Sequence, residues 1–170
     1  AAVNTIRASG GNNSERLIIV PSYVASPDFA FKNENLLPQD PAKKIALSVH
    51  MYTPYNFAME SPGSKAFTDV HKNDLNYYFS TLNKNFVSEG IPVFAGEFGA
   101  VNKNNKKERI KWAKTFTQLA RKYGIAFCLW DNAQYKVSGN NYTEKFGFLN
   151  RRDLEWFDAD IINTITGGAN

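Results

Sequence analysis

The sequence predicts an α/β fold, with parallel strands alternating with helices in a single domain over residues 1–170. Two observations lead there. Short, nearly uninterrupted apolar runs at Leu17 to Val20, Ile45 to Val49, Ile91 to Ala95 and Ala126 to Leu129 have the length and pattern of strands covered on both faces. Amphipathic stretches at helical period separate the later runs, and no linker or shift in composition marks a second domain. At 170 residues the chain can bury an ordinary core, yet it falls short of the about 250 residues of a complete eight-fold β/α barrel.

The elements follow in order. Ala1 to Ser9 read as the last turns of a helix, stopped by Gly10-Gly11 and a polar turn at Asn12-Asn13. Leu17 to Val20 is the first strand, closed by Pro21. From Tyr23 to Lys44 the chain has no steady period, which predicts a long loop with a short helix; Asn33-Glu34 within it reads as a surface pair. The second strand, Ile45 to Val49, gives way to His50-Met51-Tyr52-Thr53-Pro54-Tyr55. Phe67 to Glu89 sets Val70, Leu75, Tyr78, Phe79, Leu82, Phe86 and Val87 on one helical stripe, closed by Gly90 and Pro92, with His71 exposed. The third strand, Ile91 to Ala95, runs straight into Gly96-Glu97-Phe98-Gly99. Asn104 or Asn105 caps a helix reaching about Tyr123, with Ile110, Ala113, Phe116, Leu119 and Ala120 on its inner face. The fourth strand ends in Trp130-Asp131-Asn132, and a closing helix is expected over Leu154 to Ile165.

Composition excludes several function classes. Hydrophobic residues at 43% and charged residues at 21% are ordinary globular values, which argues against a disordered or fibrous chain. The formal charge is only +4, and its densest basic run (Lys103, Lys106, Lys107, Arg109, Lys111, Lys114) is explained by the solvated face of one helix. Nucleic acid is therefore not an expected partner. No run approaches the roughly 18 apolar residues of a membrane span, so no membrane partner is expected. Cys128, the single cysteine, rules out an internal disulfide and a cysteine zinc cluster, and reads as a small core side chain. Aromatic residues reach 14%, an excess that a stacking function would use.

Three apolar runs break into reactive side chains at their C-terminal ends: His50 and Tyr52, then Glu97, then Trp130, Asp131 and Asn132. In a parallel β/α arrangement those ends share one face, so residues remote in sequence converge. Glu97 stands out, because an ionisable group directly after a buried strand must face a polar cleft or a compensating partner. A metal site from His50, Glu97 and Asp131 is disfavoured: catalytic zinc sites take His-rich ligand sets, and the chain has two His. No cofactor is expected.

The strings Ile6-Arg7-Ala8-Ser9-Gly10-Gly11-Asn12-Asn13, Val49-His50-Met51-Tyr52-Thr53-Pro54-Tyr55-Asn56-Phe57, Pro92-Val93-Phe94-Ala95-Gly96-Glu97-Phe98-Gly99-Ala100 and Leu129-Trp130-Asp131-Asn132 resemble the second half of a glycoside hydrolase family 5 cellulase. Gly147-Phe148-Leu149-Asn150-Arg151-Arg152 is similar too, and the resemblance covers essentially the whole chain in order. It implies the C-terminal half of a (β/α)8 TIM barrel, about strands 5 to 8 with their helices, and a retaining endo-β-1,4-glucanase. It implies Glu97 as the nucleophile with His50 and Tyr52 beside it, Trp130 as a sugar platform, and Asn132, Tyr55, Asn12 and Asn13 as further substrate-binding residues. The partner is then a β-glucan polysaccharide, and a secreted, extracellular setting follows from the family alone.

The chemistry agrees with that resemblance. A retaining glycosidase uses an ionised carboxylate to attack the anomeric carbon, and a second carboxyl group about 5 to 5.5 Å away as acid and then base. In the family that the chain resembles, that second residue follows an Asn at the end of strand four, and here no Asn-Glu pair follows any apolar strand. The acid/base Glu is expected from an N-terminal half-barrel chain, and the chain alone is expected to be inactive. A less favoured source is a second copy of this chain, which would set Asp131 in that place. The competing reading is a catalytically inactive glucan-binding or structural half-barrel, in which Trp130, Tyr52 and Tyr55 only stack on sugar.

Overall fold

The computed structural model describes residues 2–32 and 37–167, so the Asn33-Glu34 pair lies outside the described residues. Four strands, β1 (Ile18–Pro21), β2 (Ile45–Met51), β3 (Val93–Phe98) and β4 (Ala126–Leu129), form one parallel sheet in sequential order. The helices are α1 (Ala2–Ala8), α2 (Pro27–Phe31), α3 (Tyr55–Ala58), α4 (Asp69–Asn85), α5 (Lys106–Lys122) and α6 (Ala159–Thr166). Among the described residues no helix is long and apolar enough to cross a membrane.

The core lies between the sheet and its helices. Leu47, Val49 and Met51 of β2 and Val93, Ala95 and Phe98 of β3 point into it, against Leu75, Phe79 and Leu82 of α4 and Trp112, Ala113, Phe116 and Ala120 of α5. Phe98 stacks on Phe116 with centroids 4.2 Å apart, and Phe79 meets the same ring edge-on at 4.9 Å. Each fully buried ring of this kind stabilises the fold by about 1.5–3 kcal/mol relative to exposure. The indole N–H of Trp112 donates to the Thr53 carbonyl (2.9 Å), tying α5 to the chain leaving β2.

Several expectations need correction. The strands are covered on one face, not two: residues opposite in register share a side, and on the open side Ile19, Ala126 and Cys128 are exposed. Cys128 is therefore not a core side chain. β2 and β3 run past their apolar stretches to take in His50, Met51, Glu97 and Phe98, because parallel pairing continues there whatever the side chains. Val70 is exposed, and His71 is half-buried rather than free. Its Nδ1 accepts the Thr68 N–H (3.2 Å) at the start of α4, and its ring stacks on Phe67. The final helix begins at Ala159, since Leu149–Asn150 (β5) and Glu155–Trp156 (β6) pair as a short antiparallel ribbon.

The basic run is also not a uniform solvated face. Arg109 is 1% exposed and Lys103 is 0% exposed. Arg109 donates to Asp158 (3.3 Å) and to the Ala100 carbonyl (3.1 Å), and its guanidinium lies over the Phe148 ring. Tertiary partners at distant positions made burial of these cations possible. Asn105 stands at the start of α5, but its side chain accepts from the Lys103 N–H (3.1 Å) instead of capping the helix.

Candidate active site

Parallel strands bring the C-terminal ends of β1 to β4 to one edge of the sheet, and a cleft of about 470 Å³ opens there. His50, Tyr52, Tyr55, Glu97 and Trp130 all line it. A local irregularity decides where Glu97 points. Val49 is opposite Ala95, but His50 is opposite Glu97, so Gly96 has no partner and the register slips by one. That extra residue resets the alternation along β3. Phe98 keeps the helix side with Ala95, while Glu97 joins His50 on the open side. A Cβ at position 96 would sit 2.8 Å from the Ser48 Oγ, so glycine fits the close approach of β2 and β3 there.

The Tyr52 hydroxyl donates to Glu97 Oε2 at 2.7 Å, and His50 Nδ1 stands 3.3 Å from the same oxygen. Both neighbours thus hold one carboxylate oxygen and leave the other to the cleft. Burial, followed by the hydrogen bond to Glu97 and its charge, pushes the Tyr52 phenol far above its ordinary value. It remains a protonated donor at any working pH. Its ring lies edge-on to Phe146 at 5.3 Å, which fixes its direction. Trp130, 39% exposed, presents its indole on the same cleft, held by its backbone N–H on the Phe98 carbonyl (2.9 Å). Tyr55 opens α3 as an exposed ring at the rim.

Other expected site residues are placed elsewhere. Asn12 and Asn13 sit in the turn before β1, at the opposite end of the sheet from Glu97. There the Asn13 side chain bridges Ser9 and Arg16, so these two do not reach the cleft. Asn132 is a loop fastener: its Nδ2 donates to the Glu144 carbonyl (2.8 Å) and its Oδ1 accepts the Gln134 N–H (3.0 Å). Asp131 is likewise engaged, accepting the N–H groups of Ala133 and Phe148 (both 2.9 Å) with Arg151 beside its other oxygen. Among the described residues no three His, Cys, Asp or Glu side chains converge as a metal site.

The sequence reading missed Asp28, Met59, Glu144 and Phe146, which also line the cleft. Glu144 and Phe146 follow a Gly/Asn-rich loop around Gly139, Asn140 and Asn141, and no local pattern announces that this loop folds back over the strand ends. Asp28 accepts the Tyr78 hydroxyl (2.9 Å), joining the chain after β1 to α4.

Comparison with known proteins agrees with this geometry. Residues 1–136 match the model for cellulase, glycosyl hydrolase family 5. The chain is 42% identical over 164 residues to Endoglucanase 1 of Ruminococcus albus, covering 96% of this chain and 39% of the relative. It is 35% identical to Endoglucanase B of Neocallimastix patriciarum, over 98% of this chain and 34% of that protein. A family 5 lichenase from a Caldicellulosiruptor species, solved with cellotetraose, superposes with TM-score 0.89 at 36% identity, over 99% of this chain and 47% of the other. A broad-specificity endoglucanase from Ruminococcus champanellensis with bound cellotriose gives TM-score 0.85 at 38% identity, over 96% and 46%. The chain thus spans about half, or less, of the length of the relatives it matches, and its α/β sheet is a fragment of their TIM barrel. From the matched family model, these relatives and the strand-end cleft together, the chain belongs to the family 5 glycosyl hydrolases, the cellulase family.

Proposed function

We propose that this chain supplies the nucleophile half of a retaining endo-β-1,4-glucanase, active when a second half-barrel completes the site. The observation that carries this reading is the pairing of Glu97 with the Tyr52 hydroxyl at 2.7 Å in a cleft that Trp130 shares. The free oxygen of Glu97 attacks the anomeric carbon of a glucose unit. The leaving sugar oxygen takes a proton from a carboxyl group on the completing half, and the same group then activates water to cleave the glycosyl ester. Tyr52 and His50 orient the nucleophile, and the Trp130 indole stacks on the apolar face of a sugar ring. The bound cellotetraose and cellotriose of the two structural relatives favour a β-glucan substrate. A polymer of that kind is degraded outside cells, which fits a secreted enzyme.

The completing partner is an N-terminal half-barrel. Among the described residues the four strands leave the sheet edges at β1 and β4 without partners and its inner face open, and pairing with four more strands removes both features. A second copy of this chain is the weaker choice, because Asp131 would have to serve as acid while tied to two backbone N–H groups and set beside Arg151.

The test mixes or co-expresses this chain with the N-terminal half of a relative and follows release of reducing ends from soluble cellulose. Cleavage is expected in the completed barrel and lost in Glu97→Gln. The chain alone is expected to run at least about 10²- to 10⁴-fold slower, the usual cost of losing acid/base assistance. Absence of cleavage in every completed form would favour the binding-only reading, and activity surviving Glu97→Gln would reject Glu97 as nucleophile.

A further inference from the structure

The segment leaving β3 beyond Glu97 is polar in sequence and buried in structure. Asn102 is 5% exposed and Lys103 is fully enclosed. The Lys103 ammonium donates to three carbonyl oxygens, those of Asn56 (3.0 Å), Phe57 (2.9 Å) and Ser64 (3.1 Å), which uses all its protons. Asn56 and Phe57 belong to α3, and Ser64 closes the loop that follows, so one cation fastens both ends of residues 56–64. Gly63 permits the closure. With φ at +51°, a Cβ there would lie 2.8 Å from Lys103 Nζ and 2.2 Å from the Asn56 carbonyl oxygen. This fastened segment and its neighbour carry Met59 and Tyr55 into the cleft.

The adjacent residue ties the opposite wall. The Asn102 N–H donates to the Lys145 carbonyl (2.7 Å), and its side-chain Nδ2 to the Tyr135 carbonyl (3.1 Å). Lys145 lies between Glu144 and Phe146, both of which line the cleft. The Val101 N–H adds a bond to the Ala58 carbonyl (2.9 Å), and Asn105 donates to the Lys65 carbonyl (2.9 Å). Both walls are therefore hung from a short stretch continuous with the strand that holds Glu97.

We propose that Asn102 and Lys103 are positioning residues that hold the two sugar-facing walls of the cleft in register with the nucleophile. The proposal rests on reading the cleft as a glucan site. Neither residue touches the reacting atoms; each acts through the backbone it ties. For Lys103 the effect falls on substrate binding more than on the bond-breaking step, since Glu97, Tyr52 and His50 contact one another directly, whereas Asn102 also steadies the wall that carries Phe146, the ring on which Tyr52 packs.

The chemistry of the tie gives it a pH dependence. Burial pushes the Lys103 ammonium down to about 8, opposed by Glu60, the charged group on the loop that acts on it. Once deprotonated, the amine has two N–H donors for three carbonyls, and one tie is lost.

The test uses the completed barrel with cellotetraose as the probe. Lys103→Met keeps the aliphatic stem and removes the ammonium; KM is expected to rise about tenfold, with kcat within about threefold of wild type. Asn102→Ala is expected to raise KM through the other wall and also to lower kcat, because that wall carries the Phe146 ring that steadies Tyr52. In the wild type KM rises as pH passes about 8, and this rise is absent in Lys103→Met. A merely structural lysine would lower the thermal midpoint without moving the pH dependence of KM. Should Lys103→Met fail to fold, the wild-type KM profile decides alone. A wild-type KM flat to about pH 9.5, beyond a lysine titrating near 8, overturns the proposal. So does a variant that loses kcat at unchanged KM, while the glucan reading then stands. A completed barrel that neither binds nor cleaves cellotetraose overturns both.

Discussion

Tyr52→Phe isolates one hydroxyl at Glu97, the proposed nucleophile. The ring stays packed on Phe146, and only the bond to Glu97 Oε2 at 2.7 Å is lost; His50 Nδ1 remains 3.3 Å from that oxygen. In the second half of a retaining reaction the glycosyl ester breaks and negative charge returns to Glu97, so the bond from Tyr52 strengthens on the way to the transition state. A hydrogen bond to a charged acceptor is worth about 1.5–3 kcal/mol. At about 1.36 kcal/mol per tenfold, its loss slows that step roughly 10- to 150-fold. The assay is steady-state hydrolysis by the completed barrel of an aryl cellobioside with a good leaving group, paired with intact-protein mass spectrometry. The expected result is a lower kcat together with a lower KM, and a protein mass increased by the trapped sugar. A kcat within about twofold of wild type refutes the assigned role. A slow variant carrying no sugar also refutes it, because the slow step would then precede the ester.

Two further predictions concern stability. Asp158 accepts from Arg109 (3.3 Å) and Tyr135 (3.2 Å) with both ion-pair partners buried. Asp158→Ala leaves the guanidinium enclosed and unpaired, and is expected to cost about 3–5 kcal/mol in urea unfolding; a loss under about 1 kcal/mol would show that the pair is not fully desolvated. At the other end of the sheet, hydrogen bonding from Arg7 (2.9 and 2.7 Å), helped by the Lys44 and Ala42 N–H groups, holds the Asp40 carboxyl far below its ordinary 3.8. A carboxyl lowered in the fold contributes stability above its unfolded value and loses it as pH falls toward the folded one. Thermal melting should therefore place Asp40→Asn below wild type at pH 7, with the gap shrinking below about pH 4; a gap constant down to pH 3 contradicts the pairing.

Much of this molecule is legible in its residues. The four apolar runs became the four strands, and the stripe of Leu75, Phe79 and Leu82 became the buried face of α4. His50, Tyr52, Glu97 and Trp130, at or just beyond the strand ends, gathered into one cleft, because parallel strands in sequential order bring those ends to one edge, while Asp131 and Asn132 were taken up in loop contacts. What misled the reading was local context. Asn12 and Asn13 are close to β1 in sequence, yet they precede it, and the beginning of a parallel strand lies a full strand length from its end. Lys103 and Arg109 look like members of a charged surface run until distant carbonyls and Asp158 enclose them.

Hydrophobic period and strand-end chemistry, both short-range properties, were enough for the sequence to determine the α/β alternation and to set Glu97 at a strand end, while the motif strings carried the resemblance to the family. The tertiary structure alone decided which side of β3 Glu97 faces, since that depends on one unpaired glycine set against the register of β2. It also decided which polar residues hold the walls of the cleft. Their hydrogen-bond partners lie about 33 to 47 positions away, and only folding brings groups that far apart within bonding distance.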